Sequence, residues 1–322
     1  MESYGRTPAE FPSRSADCML LDPRLMVSAH LPRAYVPMMK TFDIDCRLVY
    51  EVRGPAEFFF QIEAARIPEH TILSESFNIT PLTGFPQEYL PPHSHNRSMR
   101  VHAEPGLMTV DYRARVVRRY EEPDRNAREL SIAELPDEVM QYLLPTRYCE
   151  SDSLSGMAQR TFGHLPHGYG RVEAIVAWIR EHIFYQVGQT NVTTTARDVL
   201  ANRVGVCRDF AHVAITMCRA LNIPARFVVG YVEFEEPPPD FHAIFEAYLG
   251  GKWILFDPTG LAPAEDVIRI ASGADANDVA FAIIYGPATM TDIQPNISEV
   301  RQDSNDVPSH GKPDLKSVQL AA

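Results

Sequence analysis

The sequence has no stretch approaching the roughly 18 consecutive apolar residues that a membrane-spanning helix needs, so no membrane insertion is expected. Its N-terminal segment, MESYGRTPAEFPSRSADCMLLDPR, lacks a basic region followed by an apolar one, which argues against a secretory signal and for a cytoplasmic protein. Basic residues are not in excess: 30 Lys+Arg stand against 42 Asp+Glu, a formal net charge of −12. Nucleic acid is therefore not an expected partner, because binding it requires a basic stripe. Cysteine is scarce and irregular, with Cys18, Cys46, Cys149, Cys207 and Cys218 forming no C-x-x-C pair. Neither a zinc site nor a disulfide framework follows from that spacing, and free thiols in a reducing compartment fit it best. A D-x-D-x-D-G calcium loop is also missing. His93 and His95 in the PPHSHN loop have no acid or cysteine beside them and read as a polar loop. No metal or cofactor is expected.

What is present is enough apolar material, 45 % of 322 residues, for about two domains. Residues 1–40 are Pro-rich and of mixed polarity, and they stand as an N-terminal segment that could join the domain after it. From about Phe42 to Tyr120 the pattern is that of strands separated by Gly-Pro, Pro-Glu and Pro-Gly punctuation. In LMTVDYRARVVRRY, Met108, Val110, Tyr112, Ala114 and Val116 alternate with Asp111, Arg113 and Arg115. A β-rich domain over 41–150 is expected. The pattern then changes to helical spacing: a helix from Asp152 or Ser153 to about Phe162, one over Arg171–Tyr185, one after a Thr195 cap, and one from Cys207 to Leu221. The strands ARFVVGYVEF, FHAIFEAYL and KWILFDPT follow. The second domain is assigned to 151–298, and the polar tail 299–322 is expected to be disordered.

Cys207 sits where chemistry is easy to build. Gly205 allows a tight turn into the helix that Cys207 opens. A helix N-terminus presents unpaired N–H groups and the positive end of a dipole, which favour thiolate over thiol. The N–H of Cys207 itself points where an oxyanion would develop. Alone, a cysteine is more often a small buried apolar residue, so the case depends on its partners.

Those partners come from a hairpin. With Gly250-Gly251 as a two-residue turn, Leu249 faces Lys252, Tyr248 faces Trp253, Glu246 faces Leu255 and Ile244 faces Asp257. His242 then shares a sheet face with Asp257 as a diagonal neighbour, on the order of 7 Å away at Cβ and within reach of an imidazole–carboxylate hydrogen bond. A base oriented by a carboxylate is what a thiol nucleophile needs.

The segments GVCRDFAHVAITMCRALNIPARFVVGYV, FHAIFEAYLGGKWILFDPTG and TTTARDVLANR closely resemble the transglutaminase-like superfamily. The resemblance covers roughly Arg171 to Gly260. The β-rich segment before it and the YLLPTRYCESD junction (Tyr142 to Asp152) resemble the N-terminal domain fused to this core in bacterial members. The implied fold is α+β: a papain-like core, with a helix-borne Cys packed on an antiparallel sheet, behind a β-rich domain. The implied nucleophile, base and orienting acid are Cys207, His242 and Asp257. One departure is Ile244, where many members carry tryptophan after the His-Ala pair.

The resemblance also makes Asp209 and His212 candidates for a shell supporting the loop before the nucleophile. His212, at i+5 on a helix, points away from Cys207 and is not the base. Tyr185 and Gln186 are candidates for an oxyanion side-chain donor. The implied activity is cysteine-dependent hydrolysis of amide bonds in a protein or peptide, through a thioester. Two alternatives stay open: transglutaminase-type acyl transfer from glutamine to a primary amine, and a non-catalytic binding module on the same fold. Oligomeric state is not legible.

Overall fold

The computed structural model describes residues 38–82, 85–90, 95–233 and 240–301. The expected disorder of the tail beyond 301, most of the 1–40 segment, Cys18 and His93 lie outside the described residues.

The first half is strand-built, as its period of two dictates. The strands are β1 (Met38–Val52), β2 (Ala56–Phe60), β3 (His70–Thr80), β4 (Gln87–Tyr89), β5 (Ser98–Ala103) and β6 (Gly106–Tyr120). On β6 the alternation holds residue by residue: Met108, Val110, Tyr112, Ala114 and Val116 are buried, while Arg113 and Arg115 are exposed. The chain then passes a single turn, α1 (Asp137–Met140), into α2 (Ser151–Phe162) and α3 (Tyr169–His182). Next come β7 (Phe184–Tyr185), α4 (Ala196–Asn202), β8 (Val204–Gly205) and α5 (Cys207–Ala220). The strands β9 (Ala225–Tyr231), β10 (His242–Leu249), β11 (Lys252–Phe256) and β12 (Ile268–Gly273) form one sheet in the order β11-β10-β9-β12.

The chain ends with β13 (Ala282–Tyr285) and β14 (Ala288–Glu299), and both return to the first half. β14 pairs with β1 and β13 with β2, giving sheets in the orders β14-β1-β6-β3 and β13-β2-β5-β4. Residues 282–298, expected in the second domain, return to the strands of the first, and Glu299, expected in the disordered tail, pairs with Phe42. The two sheets meet through aromatic rings, with Tyr50 of β1 against Phe58 and Phe60 of β2 at 5.2 and 5.7 Å. Each such pair contributes about 0.5–1.5 kcal/mol beyond area burial. Buried hydrogen bonds tie this half to the other: Tyr231 Oη donates to Ile62 O at 2.6 Å, and Asn96 and Ser272 exchange two bonds of 2.9 Å.

α5 is the pillar of the second half. Every residue from Asp209 to Arg219 is buried, so the helix is covered all round and not along one apolar stripe. It is enclosed by α2, α3 and α4 on one side and by β9 and β10 on the other. The hairpin forms in the expected register, with Leu249 opposite Lys252, Tyr248 opposite Trp253 and Glu246 opposite Leu255. Gly250 and Gly251 have φ of 58° and 84°, the paired positive values of a type I′ turn that side chains resist.

Candidate active site

α5 starts at Cys207, and what holds that start is Asp209. Its carboxylate is fully buried and accepts from the Val206 N–H at 3.0 Å and from Thr190 Oγ1 at 2.6 Å. An acid at N3 reaching back to the cap amide is half of a capping box, and it fixes the backbone immediately before the cysteine. Arg208 donates to the other oxygen of Asp209 at 2.9 Å and to the Asn191 carbonyl at 2.7 Å, so it braces the loop. Gly205 serves differently from the expectation. It is not among the residues with positive φ, so no special turn requires it. A Cβ there would stand 2.8 Å from Asp209 Cβ, so the glycine makes room for the buried acid.

Tyr185 reaches the cysteine through a two-residue parallel pairing. α3 ends at His182, not at Tyr185 as its apolar spacing suggested. The next residues turn into β7, where Phe184 faces Val204 and Tyr185 faces Gly205. That pairing places the Tyr185 phenol within hydrogen-bonding reach of both the thiol and the backbone amide of Cys207. Burial, and after it the Cys207 side chain, push the Tyr185 hydroxyl above its ordinary range, so it remains a donor. Gln186 is exposed; its backbone N–H donates to the Gly205 carbonyl at 2.9 Å, and its side chain is not brought to the cysteine.

Cys207 is half-buried, with Sγ 4.0 Å from the Phe241 carbonyl oxygen. His242, the next residue, is 1 % exposed and starts β10. Its Nε2 lies 3.1 Å from Asp257 Oδ2, and the neighbouring Cys207 side chain also favours its charged form. Burial works against a charged His242, but its interactions with Asp257 and Cys207 outweigh it and raise its pKa to about 9. Burial likewise opposes the charged form of Asp257, and the His242 partner overcomes it, holding the carboxyl below its usual range.

Asp257 is well seated. Its Oδ1 accepts from the Thr259 N–H at 2.8 Å and the Thr259 hydroxyl at 2.7 Å, and its Oδ2 also accepts from the Ala262 N–H at 3.2 Å. Arg180 of α3 grips the same turn from behind, donating to the Asp257 carbonyl at 2.5 Å. Thr259 was detectable in sequence as the second residue after Asp257 in an Asp-Pro-Thr run, the position an aspartate side chain caps. Arg180 carries no local signal. Ile244 is fully buried against Val228, Val232, Ala262 and Val267, a packing position beside the hairpin.

His212 is on the far side of α5. It is stacked on Tyr148 at 5.0 Å, touches Phe227, and accepts from the Ala276 N–H through Nε2 at 3.2 Å. Burial, then the charges of Arg208 and Arg219, keep it well below the ordinary histidine range and hence neutral. It braces the 275–278 loop and does not meet Cys207.

The profile of the transglutaminase-like superfamily matches residues 155–258, and that of the bacterial transglutaminase N-terminal domain matches residues 39–138. A solved structure of a candidate cysteine protease from Cytophaga hutchinsonii is 37 % identical. It superposes with a TM-score of 0.78 over 83 % of this chain and 94 % of its own. This chain belongs to the transglutaminase-like superfamily. Its transglutaminase-like core spans α2 to the turn after β11, and the cysteine, histidine and aspartate discussed above all fall within the matched residues. An uncharacterised protein of Mycobacterium leprae is 31 % identical over 169 residues, 49 % of this chain and 58 % of that one, so the match spans little more than half of that relative. An uncharacterised protein of Mycobacterium tuberculosis is 43 % identical over 54 residues, 17 % of each chain.

Proposed function

We propose that this protein is a cysteine peptidase or amidase, with Cys207 as nucleophile, His242 as general acid–base and Asp257 as the group that orients it. The observation that carries this reading is His242 lying between Cys207 and a carboxylate 3.1 Å away. His242, whose interactions raise its pKa, takes the thiol proton of Cys207 as the sulfur attacks. The Cys207 sulfur adds to an amide carbonyl, and the developing oxyanion is met by the Cys207 N–H and the Tyr185 hydroxyl. His242 then gives its proton to the departing amine, leaving a thioester. Water, deprotonated by His242, adds to the thioester and releases the carboxylic acid and the thiolate. The likeness to the Cytophaga protein supports the same chemistry.

Protein or peptide substrates follow from this reading, and the acidic balance of the chain argues against nucleic acid as a partner. A reducing, cytoplasmic setting suits a thiol nucleophile. It is supported by the free cysteines Cys46, Cys149, Cys207 and Cys218.

The test is a peptide library containing glutamine and lysine, incubated with a tagged primary amine and either wild type or Cys207→Ala. Fragments released by wild type alone are the expected result. Tag incorporation into glutamine without fragments would replace hydrolysis by acyl transfer. No turnover of either kind would leave a binding module.

A further inference from the structure

Away from Cys207, the cleft between the end of β6 and the β10–β11 hairpin holds a buried cation with no carboxylate hydrogen-bonded to it among the described residues. Its floor is Glu246 between two arginines. Arg226 Nε donates to Glu246 Oε2 at 2.6 Å, and Arg269 Nη2 donates to Oε1, so each carboxylate oxygen already has a guanidinium. A third guanidinium, that of Arg118 on β6, lines the same cleft and is 7 % exposed. Its Nε has no acceptor among the described residues, and its Nη1 reaches only the Arg119 carbonyl, at 3.5 Å. Burial, and after it the Arg269 charge, work against the charged form of Arg118, with Glu69 and Glu246 in weaker opposition. The Tyr120 ring, 6.0 Å from the guanidinium, is a partner for its face but not for its N–H groups, and a methionine would fill similar space without desolvating a charge.

We propose that this cleft binds a small oxyanion, a phosphate or carboxylate group seated between Arg118 and Arg269. Guanidinium forks match the paired oxygens of both groups, and a cation already desolvated forms the stronger bond. The cleft has a volume of about 610 Å³, room for more than a bare ion. Trp253, with Arg226 4.2 Å above its ring, supplies an apolar wall for the body of the ligand, and Lys252 stands exposed at the same cleft. The exposed acids there, Glu69, Glu121, Glu122 and Asp124, select against a polyanion. One compact anionic group that reaches the floor is favoured over a nucleic acid or a phosphate-rich surface. The site is independent of the peptidase reading, because Cys207 takes no part in it.

Thermal unfolding of the full chain in inorganic phosphate or in acetate, at ionic strength held constant with NaCl, tests this. Wild type and Cys207→Ala are expected to gain Tm with the logarithm of anion concentration above Kd, on the order of 5 °C at a hundredfold excess. Arg118→Met is expected to lose the response while unfolding no earlier than wild type in NaCl alone. The larger response, to phosphate or to acetate, assigns the head group. A flat wild-type response to both anions, or an unchanged response in Arg118→Met, overturns the proposal. A second readout leaves Arg118 untouched. Trp178→Phe makes Trp253 the sole tryptophan, and its emission should change saturably with the effective anion; no change beyond that seen with NaCl counts against the site.

Discussion

The two ends of α5 each carry a cysteine, about 16 Å apart along one helix, and they are opposites. Cys218 is fully buried, and burial pushes its thiol up out of the reactive range. Cys149 and Cys46 are buried likewise and pushed up to about 12. Cys207 stands half-buried at the helix start, against the Tyr185 hydroxyl, the Phe241 carbonyl and a histidine held by an aspartate. Residue type and helix are shared, so the difference lies in the partners. A thiol becomes a proposed nucleophile only where an N-terminus, a base and an orienting acid converge on it.

The sharpest way to break the comparison is to delete each sulfur in turn. Cys207→Ala should lower peptide hydrolysis by roughly 10⁴-fold or more with little change in Tm. Cys218→Ala should leave kcat near wild type and cost about 1 kcal/mol of stability through the small cavity it opens. Comparable activity losses in steady-state assays of the two variants would erase the distinction.

Next in size is Asp257→Asn. Losing the carboxylate removes what holds the ring and its charge, and kcat should fall by about 10³–10⁴-fold. The same pair makes stability depend on pH. His242, raised to about 9 from an ordinary 6.5, stabilises the fold fully below pH 6.5, and that contribution fades as pH rises through 9. Asp257, held below its ordinary 3.8, contributes fully above that value and is lost as pH falls through its lowered pKa. Chemical denaturation of wild type across pH 6–10 should therefore show an alkaline decline that is reduced in Asp257→Asn. Parallel curves would show that the pair is not linked to folding. The smallest catalytic effect expected is that of Tyr185→Phe, about 10²-fold in kcat with KM little changed, since the Cys207 N–H remains as the other oxyanion donor.

Local patterns made much of this legible. Two adjacent glycines set the hairpin register, and register with strand period brings His242 and Asp257 onto one face. β6 declared its buried side through strict alternation. Other features depended on contacts that no local pattern encodes. The segment that becomes β14, ATMTDIQPNISE, has an exposed, mostly polar face and finds its place only by pairing with β1 far earlier in the chain. Tyr185 was expected to end the helix that becomes α3, yet a two-residue pairing with β8 takes it out of the helix. Gly205 looked like a turn residue because its real constraint, the buried Asp209 side chain, comes from a residue four positions later folding back over it.

The central claim, that its partners rather than its type set Cys207 apart, is tested most directly by iodoacetamide labelling near neutral pH, read site by site by mass spectrometry. The account predicts modification of Cys207 at least about 10²-fold faster than of Cys46, Cys149 or Cys218 in wild type, with that advantage lost in His242→Ala. Equal, slow labelling of all four, or a fast Cys207 that is indifferent to His242→Ala, would contradict it.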